Sequence, residues 1–301
     1  MCRHIAWVGD DAVPLGELLV APPHGLHRQS WAPRRQRYGT VNADGFGVGW
    51  YAPGDPVPGR YRRAGPVWGD PSFADLARVV RSAAGLAAVR DATLPGADGE
   101  AAAAPFASGP WLFSHNGAVT GWPGSLAALA AGLPPADLLA LEARNDSALL
   151  WALALHRLRR GDTPLDALAG VVRDVAAAAP GSRLNLLLVD GTTVTATAWG
   201  DTLWYLGGSP GRRRRAVVAS EPYDDDPAWC EAPDRTLLTA TADGVALHPL
   251  DRAPGPAADR RPDRATAAPA AQDRTSPARL RPSPPPRAAR AGRQPLEEYP
   301  A

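Results

Sequence analysis

Lysine is absent from the 301-residue chain: all 32 basic side chains are arginine, set against 31 acidic ones for a net charge of +1. With Ala and Pro so abundant, the missing Lys reads as a compositional bias without functional weight. A near-zero balance argues against a dedicated nucleic-acid binder. Cysteine is almost absent too, with Cys2 and Cys230 alone. Two thiols so far apart make no disulfide framework, so a reducing cytosol is the expected compartment. No run reaches the ~20 apolar residues that cross a bilayer. The opening residues 1–13 lack the apolar stretch of a signal peptide. These absences predict a cytoplasmic protein with no membrane partner.

What is present is a chain of ordinary hydrophobicity, 45% apolar, long enough to bury a full core. Strands are predicted at Ile5–Val8, Gly47–Tyr51, Trp111–Ser114, Leu184–Val189, Thr193–Ala198, Leu203–Leu206, Ala216–Ala219 and Thr236–Ala240, from β-branched and aromatic runs between turn residues. Asp190-Gly191 between two such runs is a hairpin signal, so at least part of the sheet is antiparallel. Helices are predicted at Ser72–Ala84, Ser125–Ala131, Asp146–Arg159 and Pro164–Ala178, the third opened by the capping run Asn145-Asp146-Ser147. Helices fall between groups of strands, which predicts an α+β fold over residues 2–250. Residues 251–301 are rich in Pro, Arg and Ala with few large apolar side chains, and are expected to be a disordered basic tail.

Chemistry concentrates at Cys2. Removal of Met1 would give it a free α-amine, whose ordinary pKa of about 7.7–8.0 suits proton transfer near neutrality. One residue would then supply both nucleophile and base. Phe113-Ser114-His115-Asn116-Gly117 reads as a strand followed by a tight turn that aims the Asn116 amide and the Gly117 N–H at one point. Two converging donors suit a tetrahedral oxyanion, although Asn-Gly is also a common turn dipeptide. Arg90, in Val89-Arg90-Asp91-Ala92-Thr93, suits a carboxylate. Asp146 suits an ammonium, or a helix start alone.

The order of these motifs resembles the class II glutamine amidotransferases, N-terminal nucleophile hydrolases. The resemblance runs from residue 2 to about 250. It is carried by Met1–Trp7, Asn42–Tyr51, Val89–Thr93, Trp111–Gly117 and Asn145–Ser147. Met1–Gly9, Tyr38–Tyr51, Arg183–Gly191 and Ala219–Pro227 narrow it to the γ-glutamyl hydrolase branch that serves ergothioneine biosynthesis. The resemblance implies a four-layer αββα sandwich with the Cys at the head of a central strand. It implies Cys2 as nucleophile, Asn116 and Gly117 as the oxyanion hole, Arg90 on the α-carboxylate of the glutamyl group, and Asp146 on its α-ammonium with Thr93 nearby. The implied substrate is a small γ-glutamyl amide, cleaved through a thioester with no metal or organic cofactor. One departure is visible: relatives tend to carry His before Pro105-Phe106, where this chain has Ala104.

The implied leaving group carries a trimethylammonium, which favours aromatic faces. Trp31, Tyr38, Trp50, Trp111 and Trp229 lie near the motifs in sequence, and Asp224–Asp226 adds negative charge. Three other readings stand beside this one. A glutaminase subunit would feed ammonia to a separate synthase. The processed start Cys2-Arg3-His4 could chelate copper or nickel. A catalytically inactive scaffold is the third. The oligomeric state, including a homo-oligomer, is left open.

Overall fold

The computed structural model describes residues 2–39, 41–92, 99–208 and 214–250. Thr93, the tail from residue 251, and Arg212 and Arg213 therefore lie outside the described residues. The strands, in chain order, are β1 (Arg3–Pro14), β2 (Gly45–Trp50), β3 (Gly59–Arg63), β4 (Arg81–Arg90), β5 (Phe106–Ser108), β6 (Trp111–Ala118), β7 (Arg183–Val189), β8 (Val194–Ala198), β9 (Trp204–Leu206), β10 (Arg215–Ala219), β11 (Cys230–Glu231), β12 (Thr236–Thr241) and β13 (Gly244–Pro249). They form two sheets, ordered β11-β9-β10-β1-β4-β2-β3 and β13-β12-β8-β7-β6-β5. Pairing among the described residues is antiparallel in both.

Alternation of side chains along each strand turns these sheets into a sandwich. On β1, Ile5 and Trp7 face one way, packing with Leu15, Leu18 and Leu19 of helix α1 (Leu15–Leu19), Leu26 of helix α2 (Leu26–Gln29) and Phe73 of helix α3 (Pro71–Val79). Ala6 and Val8 face the other way, meeting Leu112, Leu187 and Ala196 of the second sheet. The far face of that sheet carries Phe113, Leu184, Leu186 and Leu188. It packs on helices α6 (Asp146–Arg159) and α7 (Pro164–Ala178), past the short α4 (Ala127–Ala131) and α5 (Pro135–Leu139). Three cores separate four layers, so the expected αββα sandwich is what the chain forms.

Two expectations are corrected. The helix predicted at Ser72–Ala84 ends at Val79, and Arg81–Arg90 becomes a strand between β1 and β2. Its run Ser82–Val89 is mostly Ala and Gly, which sequence preference assigns away from strands. Here small side chains leave room for the paired strands: a Cβ on Gly85 would collide with the Trp7 ring of β1 and the Gly49 carbonyl of β2. The second correction concerns His115-Asn116-Gly117. They make no turn; β6 continues through them, with Asn116 opposite Asn185 and Gly117 opposite Leu184 on β7. The Asp190-Gly191 hairpin is present as expected, with Gly191 at φ 94°. The Asp190 carboxylate accepts the Thr192 and Thr193 N–H groups, each at 2.8 Å.

Candidate active site

Cys2 precedes β1, and the register of β1 on β4 (Arg3 opposite Val89) brings it beside Arg90. Cys2 is half-buried and opens into a pocket of about 270 Å³. Arg90, Gly117 and Asp146 stand on the same wall system. Burial pushes the Cys2 thiol up. The Asp91 N–H facing the sulfur and the Arg90 cation oppose that rise, while the Asp146 carboxylate adds to it.

Arg90 is 9% exposed. Its guanidinium donates to the Asp44 carbonyl at 3.4 Å and has no carboxylate partner among the described residues. A buried cation without an anion is costly unless something in the pocket completes it. Asp146 is the first residue of α6, whose N-cap is Asn145, accepting the Ala148 N–H through its side chain. One oxygen of Asp146 accepts the Val119 N–H at 3.0 Å, and the other accepts the Ser147 N–H at 2.8 Å. Asn145, Asp146 and Ser147 thus open α6 and line the pocket at the same time.

Gly117 reaches the pocket wall, whereas Asn116 stands behind it, fully buried. The Asn116 Nδ2 donates to Ser220 Oγ at 3.2 Å. His115, on the opposite face of β6, is a pocket residue that sequence reasoning left without a role. Its Nε2–H donates to the Arg183 carbonyl at 2.9 Å, so its Nδ1 accepts from the Ser147 hydroxyl at 3.0 Å. That chain of bonds ties β6 to the first turn of α6 and holds Gly117 and Asp146 around one cavity.

The aromatic side of the site differs from expectation. Phe46, Phe106 and Trp122 line the pocket; Trp31, Tyr38, Trp50, Trp111 and Trp229 do not. Sequence proximity misled here because Trp31 packs edge-on against His27 and Trp68, and Trp229 lies on Tyr223. The acidic run is spent nearby: Asp224 accepts the Trp229 indole N–H, and Asp225 pairs with Arg34. Ala104 does line the pocket. His4 is off the pocket wall, buried with its Nδ1 on Ser114 Oγ at 3.1 Å, which disfavours an amino-terminal metal chelate. Among the described residues no group of three or more His, Cys, Asp or Glu could hold a metal ion. Nor is any described helix long and apolar enough to cross a membrane.

No protein-family model matches the chain. It is 44% identical over 256 residues to the γ-glutamyl-hercynylcysteine sulfoxide hydrolase of Mycobacterium tuberculosis (strain ATCC 25618 / H37Rv), covering 85% of this chain and 100% of that protein. It is 43% identical over 250 residues to the protein of the same name from Mycolicibacterium smegmatis, covering 83% and 100%. A solved class-II glutamine aminotransferase domain protein from Silicibacter pomeroyi superposes with a TM-score of 0.60 at 27% identity, covering 83% of this chain and 100% of that one. Identity of this extent over nearly the whole described region, on this fold, means that the chain belongs to the γ-glutamyl-hercynylcysteine sulfoxide hydrolase family of class II glutamine amidotransferases.

Proposed function

We propose that the chain hydrolyses the γ-glutamyl amide of γ-glutamyl-hercynylcysteine sulfoxide, releasing glutamate and hercynylcysteine sulfoxide, with Cys2 as nucleophile once Met1 is removed. The observation that carries this reading is the single pocket shared by Cys2, Arg90, Gly117 and Asp146, in a chain whose relatives bear that enzyme name.

Arg90 pairs with the substrate's α-carboxylate, an anion its buried guanidinium does not find among the described residues. Asp146 takes the α-ammonium, and Thr93 is assigned to the same end of the substrate. In the first step the Cys2 thiol gives its proton to its own α-amine and attacks the γ-carbonyl carbon. The carbonyl oxygen becomes an oxyanion held by the Gly117 N–H and the Asn116 amide. Collapse breaks the C–N bond; the α-ammonium returns its proton to the departing amine, leaving a γ-glutamyl thioester. In the second step water attacks the thioester, giving a proton to the α-amine, and the thiolate leaves and is reprotonated as glutamate is released. Trp122 offers the trimethylammonium of the leaving half an aromatic face. The reaction needs no cofactor.

Glutamate release from γ-glutamyl-hercynylcysteine sulfoxide, measured against free glutamine with Met1-processed protein and its Cys2→Ala variant, tests the proposal. The expected result is preference for the sulfoxide, lost in the variant. Cys2-dependent release from glutamine alone would replace it with the ammonia-supplying reading.

A further inference from the structure

We propose that Ser220 is a positioning residue for this reaction, orienting the Asn116 amide relative to the nucleophile's strand; the inference rests on the role given above to Asn116. The nucleophile and its oxyanion donors come from different sheets, Cys2 from the edge of β1 and Asn116-Gly117 from β6. Between those sheets lie Ala6, Val8 and Leu86 against Leu112, Leu187 and Ala196. Apolar contact of this kind is non-directional. It holds the sheets together without fixing an amide to a fraction of an ångström.

Ser220 supplies the missing direction. It follows β10 directly and is hydrogen-bonded to His4 from both ends: its N–H donates to the His4 carbonyl at 2.9 Å, and its Oγ accepts the His4 N–H at 3.0 Å. His4 is two residues beyond Cys2. The same Oγ accepts from Asn116 Nδ2 at 3.2 Å. Ser220, His4 and Asn116 are each 0% exposed, so no water competes for these bonds. One hydroxyl oxygen therefore joins the nucleophile's strand to the oxyanion side chain.

The amide needs such an anchor. The terminal torsion of Asn is broad, with no sharp staggered wells to fix it. The Asn116 Oδ1 has no hydrogen-bond partner among the described residues. The bond to Ser220 Oγ is thus the side-chain contact that sets the amide plane, while the second Nδ2 hydrogen stays available to an oxyanion. A separate bridge, His4 Nδ1 to Ser114 Oγ at 3.1 Å, also crosses between the sheets. It supports the sandwich without touching the Asn116 amide, so loss of the Ser220 hydroxyl should spare the fold.

The test is a double-mutant cycle on full-length, Met1-processed protein, reading kcat and KM for γ-glutamyl-hercynylcysteine sulfoxide. Ser220→Ala is expected to lower kcat roughly 10-fold, the scale of one net hydrogen bond, with KM within about twofold. Ser220→Cys, similar in volume but a weak acceptor, should lose about as much, and Ser220→Thr, which keeps the hydroxyl, should recover most of it. The deciding arm is Asn116→Ala with and without Ser220→Ala. If Ser220 acts through Asn116, the double variant is no slower than Asn116→Ala alone. A full multiplicative loss in the double variant, or unchanged kcat in both Ser220→Ala and Ser220→Cys, would overturn the inference. Full activity in Cys2→Ala would instead overturn the underlying reading of the site.

Discussion

Gly117→Ala tests how tightly the site is built into the second sheet. A Cβ at this position would lie 2.6 Å from the Arg183 carbonyl carbon and 2.7 Å from His115 Nε2, against 3.4 Å for ordinary contact. Neither neighbour can retreat easily. Arg183 is held in β7, paired with β6 on both sides of the clash (Gly117 with Leu184, Ala118 with Arg183). His115 Nε2 is bonded to that same carbonyl. Overpacking of a strand pair costs about 1–3 kcal/mol, and disturbing the His115–Arg183 bond adds about 1 kcal/mol. A loss of roughly 3 kcal/mol in a domain of this size lowers Tm by about 6–12 °C. Because the strand must move, the Gly117 N–H and the Asn116 amide move with it, and a displacement near 1 Å costs on the order of 100-fold in rate. Thermal unfolding followed by circular dichroism and kcat for glutamate release measure the two effects. Gly124→Ala is the matched control, since a Cβ there meets nothing within 4 Å. A Gly117→Ala protein that melts with the parent and keeps its kcat would refute the reasoning.

Two further outcomes are expected. Arg90→Lys keeps the charge but loses the paired geometry for a carboxylate, so kcat/KM should fall roughly 10- to 100-fold, mainly through KM; an unchanged KM would remove Arg90 from substrate binding. His4 is held well below its ordinary pKa by burial, with the charge of Arg3 adding to the effect. The unfolded chain therefore takes up a proton near pH 6.5 that the folded chain refuses. Stability is full above that pH and falls by about 1.4 kcal/mol per pH unit below it, with His27, also lowered by burial, acting in the same direction. Urea unfolding at several pH values between 7.5 and 5 measures the slope, which should be shallower in His4→Gln; an identical slope would mean that His4 titrates normally.

Local features were legible because their causes lie within a few residues. Asn145-Asp146-Ser147 announced a helix start, and the side chain of Asn145 does cap α6. Asp190-Gly191 announced a hairpin, since a turn's dihedral demands are met by the residues in it. Cys2 stood out by position alone, and the company of Arg90, Asn116-Gly117 and Asp146 made it chemically coherent. Four-layer packing came from resemblance, and the alternating faces of β1 supply its physical basis.

Other features were decided by partners distant in the chain. Whether Ser82–Val89 is helix or strand depends on β1 and β2 closing around small side chains, a condition set by Trp7 and Gly49 rather than by the segment itself. His115–Gly117 stays extended because β7 pairs with it. Which aromatic meets the pocket turned on packing: Trp122 reaches it while Trp31 and Trp229 are held by other rings. The partner of Asn116 lies 104 residues away at Ser220, and the chemistry of two polar side chains gives no hint of that pairing until both sheets are assembled. Sequence determined which reactive groups this protein carries; the stacking of two sheets decided their mutual geometry, because hydrogen bonds and close contacts act over a few ångströms of space and are indifferent to separation along the chain.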